Sequence, residues 1–233
     1  MGPLATVGAM VLRRSDGTPR LVALEKVDLG FDPASVLVAQ LNFTGITGGP
    51  FKPPSTPTLD MLRRKVEELP GVNAVSFGDQ TPLDGVEISS SIEVLGYAPH
   101  PGEEPTVNLV TVADGYFRTL GLPLISGQQF EDIPTAQANV AVINKEMAQR
   151  YWPGSSAVGR QVVVNGETLK VLGVAGDVRE KDPWDAPEPS LYYRYPGLAS
   201  AYVEMLVRSA GGSISNLSAA DDPASDAGAA TAH

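Results

Sequence analysis

No cysteine occurs anywhere in the 233 residues. That excludes disulfides, thiol nucleophiles and zinc–thiolate sites, and it leaves the compartment open. Histidine is almost as scarce. His100 stands between two prolines and His233 is the last residue, so a histidine triad or multi-histidine metal centre has nothing to draw on. Positive charge is in short supply, with 17 Lys and Arg against 27 Asp and Glu and a formal net charge of -10. A nucleic-acid binder needs a basic stripe to displace counterions from phosphates, and none is present. An acidic surface instead favours solubility and repels anionic lipid. Long apolar runs are missing too: none reaches the roughly 18 residues that span a bilayer. The N-terminal LATVGAMVL is short, and Arg13 and Arg14 follow it, the reverse of the order in a secretory signal.

What is present is well punctuated, above all over residues 110–177. Val110 and Val112 lead to Asp114, a good helix N-cap by residue type, and GYFRTL closes at Gly121. Val140, Val142 and Ile143 lead to Asn144, and KEMAQRYW stops at Pro153-Gly154. A strand, a turn at Asn165-Gly166 and another strand follow. Upstream, SDGTPR is a turn between two short apolar pieces. Residues 36–43, VLVAQLNF, read as a strand buried on at least one side. Leu59, Leu62, Val66 and Leu69 repeat at helical spacing, with Pro57 in the first turn and Thr56 as cap. With a further strand over 72–77 this makes a β-α-β unit. ISSSIEVLGY, LYYRY and YVEMLVR supply more strands. Beyond residue 209 the chain is Ala, Ser, Gly and Asp, too poor in apolar surface to offset the entropy of ordering, so disorder is expected.

Chemistry-bearing motifs are few. GITGGPFKPPSTP lacks the Lys-Ser/Thr of a phosphate-cradling loop. GSSAVG has the wrong spacing for a nucleophile elbow and follows a helix. Asp177, Glu180, Asp182, Asp185 and Glu188 could wrap a calcium ion by type, but prolines interrupt them and the spacing is not that of an EF-hand. They read as a solvated acidic loop. Trp152 ends a helix and reads as core. Trp184, in a polar loop, and the aromatics Tyr192, Tyr193 and Tyr195 form the candidate partner surface. No catalytic, cofactor-binding or metal-binding residue stands out, and no cofactor is expected.

Taken in order, VDLGFDPASVLVAQL, LPGVNAVSF, ADGYFRTLGLPLISGQQF, VAVINKEMAQRYWPGSSAVGRQV and VLGVAGDVREKDPWDAPEPSLYYRYP carry a family likeness. The chain resembles the periplasmic core domain of MacB-like, FtsX-like ABC transporter permeases of the acidobacterial duplicated type, over about residues 27–208. That resemblance implies an α+β fold of two lobes. A porter-like lobe of β-α-β units would take 28–84 and 189–208, and a mixed α/β lobe would be inserted over 85–188. Residues 1–27 would be a remnant of a membrane-proximal segment and 209–233 a disordered tail. The likeness fades at both ends, so the outer lobe is expected to be incomplete and one sheet face under-covered. The implied function is non-catalytic: coupling membrane-helix movement to substrate export or partner contact on the periplasmic side of the cell membrane. ATP would be hydrolysed by a separate ABC ATPase subunit. The other partners implied are a second permease subunit and a periplasmic adaptor or lipoprotein. The alternative reading is a free-standing soluble module that binds a ligand or protein between the lobes; a hydrolase working through Asp or Glu is the third.

Overall fold

The computed structural model describes residues 28–43, 53–84, 87–134, 139–194 and 203–211, and the backbone alone of 9–13, 19–23 and 202. Strands β1 (Ala9–Arg13) and β2 (Pro19–Ala23) pair antiparallel as a separate two-stranded sheet, and residues 14–18 between them lie outside the described residues. The rest is one mixed sheet of ten strands with three short helices. Its strands are β3 (Val36–Asn42), β4 (Val72–Gly78), β5 (Ser89–Val94), β6 (Thr106–Val112), β7 (Leu124–Gly127), β8 (Val140–Asn144), β9 (Gln161–Val164), β10 (Glu167–Ala175), β11 (Ser190–Arg194) and β12 (Tyr202–Ser209). The helices are α1 (Thr56–Glu67), α2 (Tyr116–Leu120) and α3 (Lys145–Tyr151).

Six of these strands close on themselves. The order β11-β8-β10-β9-β5-β6 returns from β6 to β11 through a parallel pairing, Ser190↔Asn108 to Arg194↔Val112. A closed ring leaves no free edge among its members. Alternate residues point inward and share one core: Ile92, Val94, Val107, Leu109, Ala141, Ile143, Val162, Val164, Leu169, Val171 and Leu191. Helix α3 adds Met147 and Tyr151 to that core, and its C-cap adds Trp152. The outward residues of β6, β8 and β11, namely Val110, Val112, Val140, Val142 and Tyr192, are also buried, under Tyr116, Phe117 and Leu120 of α2. Covering on both faces is why these strands read as continuous apolar runs. The turn between β9 and β10 is the expected hairpin, with Asn165 and Gly166 both left-handed at φ 50 and 79.

The second body is the three-stranded sheet β4-β12-β3. Both β3 and β4 run antiparallel to β12, which lies between them. They are therefore parallel to each other, and α1 connects them: a β-α-β unit split by a strand from the far end of the chain. Leu59 of α1, with half-buried Leu62 and Val66, covers Val75, Phe77, Val203 and Val207. Replacing Leu59 by alanine should cost about 2 kcal/mol in urea denaturation, while Met61→Ala, at 56% exposure, should be near neutral. Equal losses at the two positions would mean that α1 does not dock as described.

The structure departs from the sequence expectations at definite points. Ser55, not Thr56, occupies the N-cap of α1, and its hydroxyl meets that of Thr58 instead of a helix N–H. Strand β3 is an edge, paired only with β12 among the described residues, and only Val36 is buried in it. Leu37 and Val38 are each 42% exposed. Within 189–208, which the resemblance implies for the porter-like lobe, Ser190–Arg194 pairs with β6 and β8 and closes the ring. Asp114 does not cap α2. Gly115 holds that place at φ 85, and the Asp114 carboxylate is taken by Arg194. Asn144 does cap α3, through Met147 N. The Gly/Pro loop over 44–52, the crossing 195–201 and the tail beyond 211 lie outside the described residues.

Candidate functional site

The barrel and the β4-β12-β3 sheet meet along a narrow seam. Strands β4 and β6 share a single paired position, Gly78↔Val112. Around it Ala113 N donates to Phe77 O at 2.9 Å and Asp79 N to Thr111 O at 3.1 Å. Thr111 N donates in return to Asp79 Oδ1 at 2.9 Å. Side chains extend the contact: Ser76 Oγ to Asp114 O at 2.9 Å and Gln80 Nε2 to Leu109 O at 2.7 Å. In chain order the elements pass from β4 to β5 after Gly78 and from β11 to β12 after Arg194.

Helix α2 bridges the same seam from outside. One side of it lies over the barrel strands, and it also packs on β4 and β12, with Leu206 joining its cluster. Arg208 of β12 donates from Nε to Thr119 O at 2.8 Å and from Nη1 to Ser35 Oγ at 2.8 Å. On the barrel side, Arg194 makes a bidentate pair with Asp114 at 2.7 and 2.6 Å and lies over the Phe130 ring at 6.0 Å. Helix α2 is thus tied to β12 through Arg208, and the Asp114 that precedes it is tied to β11 through Arg194.

The loop between β10 and β11 reaches back over the seam. Its Glu180 O accepts from Leu83 N at 2.7 Å, and Leu83 sits at φ 68, rare for a residue with a side chain. Its acidic residues are dispersed, not convergent. Asp177 Oδ1 accepts from Glu146 N at the start of α3, and Asp182 Oδ1 accepts from Trp184 N. Glu87 and Glu188 flank Lys181. Among the described residues no three His, Cys, Asp or Glu are grouped to hold a metal.

A family model described as the MacB-like periplasmic core domain matches residues 24–230. This chain belongs to that family. Among curated proteins, the macrolide export ATP-binding/permease protein MacB of Sodalis glossinidius (strain morsitans) is 28% identical over 115 residues. That match takes in 44% of this chain and only 18% of the length of the relative. Among solved structures, the periplasmic region of MacB from Actinobacillus actinomycetemcomitans is 15% identical at a TM-score of 0.49, covering 77% of this chain and 76% of that one. The extracellular domain of the noncanonic ABC-type transporter YknZ from Gram-positive bacteria is 15% identical at a TM-score of 0.48, covering 75% and 83%.

Within this MacB-like core domain, the aromatics singled out by sequence separate. Trp184 is 50% exposed on the β10–β11 loop. Tyr192 is not on the surface. It is 1% exposed, with its ring 5.1 Å from Phe117 edge-on and 6.1 Å from Tyr116. Alternation along β11 sends it onto α2 and sends its neighbour Tyr193, half-buried, towards the barrel core. Tyr195 lies outside the described residues. Sequence reading missed the pairings: Arg194 with Asp114, Arg208 with Thr119 O, and Glu180 with Tyr192, whose hydroxyl lies 3.4 Å from Glu180 Oε1.

The seam of the MacB-like domain carries perturbed acids. Burial pushes the Glu180 carboxyl up to about 7, with Asp84, Glu87 and Glu188 adding repulsion against the Tyr192 hydrogen bond. Burial also raises Asp79, and it raises the Tyr116 and Tyr192 phenols well above their ordinary value. Gln80 Oε1, Asn108 Nδ2 and Thr119 Oγ1 are buried there without a hydrogen bond among the described residues.

Proposed function

We propose that this chain is the extracytoplasmic core of an ABC-type permease and that its work is mechanical, with no turnover of a substrate. The observation that carries the reading is the seam: two packed bodies joined by one strand pairing, two chain crossings and a bridging helix. Such a junction permits one body to shift against the other about the α2 cluster that both share. On this reading 28–84 and 202–208 form the porter-like lobe, and the barrel over 87–194 is the inserted lobe. The exposed edge of β3 and the open face at Leu37 are where the porter-like lobe takes further cover.

Among the described residues no helix is long and apolar enough to cross a membrane. On this reading membrane helices of the permease drive the motion, and ATP is hydrolysed by an ABC ATPase subunit on the other side of the membrane. A second permease subunit and a periplasmic adaptor or lipoprotein are the remaining partners, with Trp184 and its loop as their contact on the barrel side.

Because the chain contains no cysteine, two introduced ones can be labelled without background. Met61→Cys on α1 and Glu167→Cys on the barrel hairpin are both on exposed positions. With spin labels at these sites in the assembled transporter, the distance distribution should differ between nucleotide-free and ATP-bound states. One unchanged distribution in both states would end the mechanical reading.

A further inference from the structure

We infer that residues 28–35 are a strap that fixes the barrel against the β4-β12-β3 sheet, and that the strap parts at Gly30 when the two bodies move. The inference rests on reading the seam as a hinge, and it names the restraint on that hinge.

One end of the strap is continuous with the sheet, since Ser35 leads directly into Val36 of β3. The other end is seated on the barrel. Gly30 lies so close to the chain that follows β10 that a Cβ there would overlap Asp177 O and stand 2.9 Å from Asp177 C and 3.1 Å from Val178 Cα. Its φ of 82 is in the left-handed region that glycine enters readily and other residues do not. The adjoining peptides are bonded to the same stretch of barrel. Arg179 N donates to Leu29 O at 3.3 Å, and Arg179 Nε donates to Asp28 O at 2.9 Å. Leu29 is buried, and Phe31 packs on the α2 cluster.

The seat belongs firmly to the barrel. Asp177 Oδ1 accepts from Glu146 N at the start of α3, and Val178 is buried within the α2 cluster. Arg179 is held in turn by a bond from Nη1 to Asp185 O.

Between its ends the strap is stiff. Pro33–Ser35 forms one tight turn, in which Asp32 Oδ1 accepts from Ala34 N at 3.1 Å and Asp32 Oδ2 from Ser35 Oγ at 2.8 Å. The same Ser35 hydroxyl accepts from Arg208 Nη1 at 2.8 Å, which ties the turn to β12. A short, stiff link has little slack, so a shift of the barrel against the sheet must break one of its ends. The sheet end is covalent. The barrel end is held by hydrogen bonds and close packing, and it is the end that parts.

The test uses the full chain, without membrane or nucleotide, carrying spin labels at Met61→Cys and Glu167→Cys. The parent should give one narrow distance distribution. Gly30→Ala forces the strap off its seat and should broaden that distribution about twofold or more, while exchange of the Arg179 amide speeds up on the order of tenfold. The Leu83 amide, bonded to Glu180 O at 2.7 Å, should keep its protection, which separates an unseated strap from a melted loop. Gly96→Ala is the control for backbone strain alone, since Gly96 has φ 87 and nothing lies within 4 Å of a Cβ there. Both readouts should then match the parent. Arg179→Met keeps the stem, removes the donor to Asp28 O and should give the same two changes in smaller measure; it decides the matter should Gly30→Ala fold poorly. An Arg179 amide still protected in Gly30→Ala overturns the strap, and so does a distribution as narrow as the parent's in either variant. The mechanical reading fails separately, on one unchanged distribution in both nucleotide states of the transporter, whatever Gly30→Ala does to the isolated chain.

Discussion

Asn144→Ala is expected to cost about 4 kcal/mol and to lower Tm by on the order of 10 °C. Asn144 is fully buried at the junction of β8 and α3. Its Oδ1 accepts from Met147 N at 2.9 Å and from Ser190 N at 2.9 Å, and its Nδ2 donates to Glu188 O at 2.7 Å. One amide thus caps a helix, fixes the first residue of β11 and satisfies the carbonyl of Glu188. Alanine leaves the three backbone partners without this side chain. A buried orphan costs about 1–3 kcal/mol, and a lost cap about 1 kcal/mol of that. Asn144→Asp keeps both acceptors and loses the donor, so its deficit relative to the parent should grow with pH, as the protonated acid that can still donate to Glu188 O disappears. Calorimetry of the three proteins decides the matter; a loss below about 1 kcal/mol for alanine would show that water replaces the amide without penalty.

The second large effect belongs to a pair of glycines. Gly127 of β7 and Gly173 of β10 face each other in the register, where β10 also shifts its pairing with β8. A Cβ on Gly127 would stand 2.3 Å from Leu172 O and 2.7 Å from Gly173 Cα, and its φ is 82. A Cβ on Gly173 would stand 2.5 Å from Gln128 O and 3.0 Å from Ser126 O. All four obstacles are backbone atoms, which cannot rotate aside. Gly127→Ala should cost about 3–4 kcal/mol, as overpacking plus left-handed strain, and Gly173→Ala about 2–3 kcal/mol. Once β7 has been pushed off by one alanine, the second meets less, so the double variant should fall short of additivity by about 1 kcal/mol or more. Strict additivity in urea denaturation would show that the two strands do not share this contact.

Local structure was legible from sequence wherever the cause is local. Asn144 before KEMAQRY, Gly121 after YFRTL and Asn165-Gly166 between two β-branched runs each fix a backbone conformation by their own chemistry, and each sits where expected. Pairing is not local. The contact that closes the barrel joins Ser190 to Asn108, and nothing in either strand names its partner. Asp114 shows the same limit. It is a good cap by type, but a guanidinium 80 positions away binds its carboxylate instead. The run LYYRY looked like one aromatic surface because a sequence cannot show that both faces of a strand are covered; ring closure hides one face and α2 the other. Residues 36–42 form the expected strand, with Leu41 and Phe43 packed on the α1 cluster, but sequence could not show that Leu37 and Val38 would stand exposed. The seam could not be read at all, since Gly78, Glu180 and Arg208 acquire meaning only from what stands opposite.

The interleaving of β12 between β3 and β4 has a consequence for how the molecule is made. Those two flanking strands never bond to each other, so after synthesis of residue 78 they wait with a vacant lane between them. The lane is filled only after all of the intervening polypeptide has been produced, and by then the barrel residues can already have condensed. Biogenesis thus acquires an order: the barrel can mature first, and the β4-β12-β3 sheet is completed last.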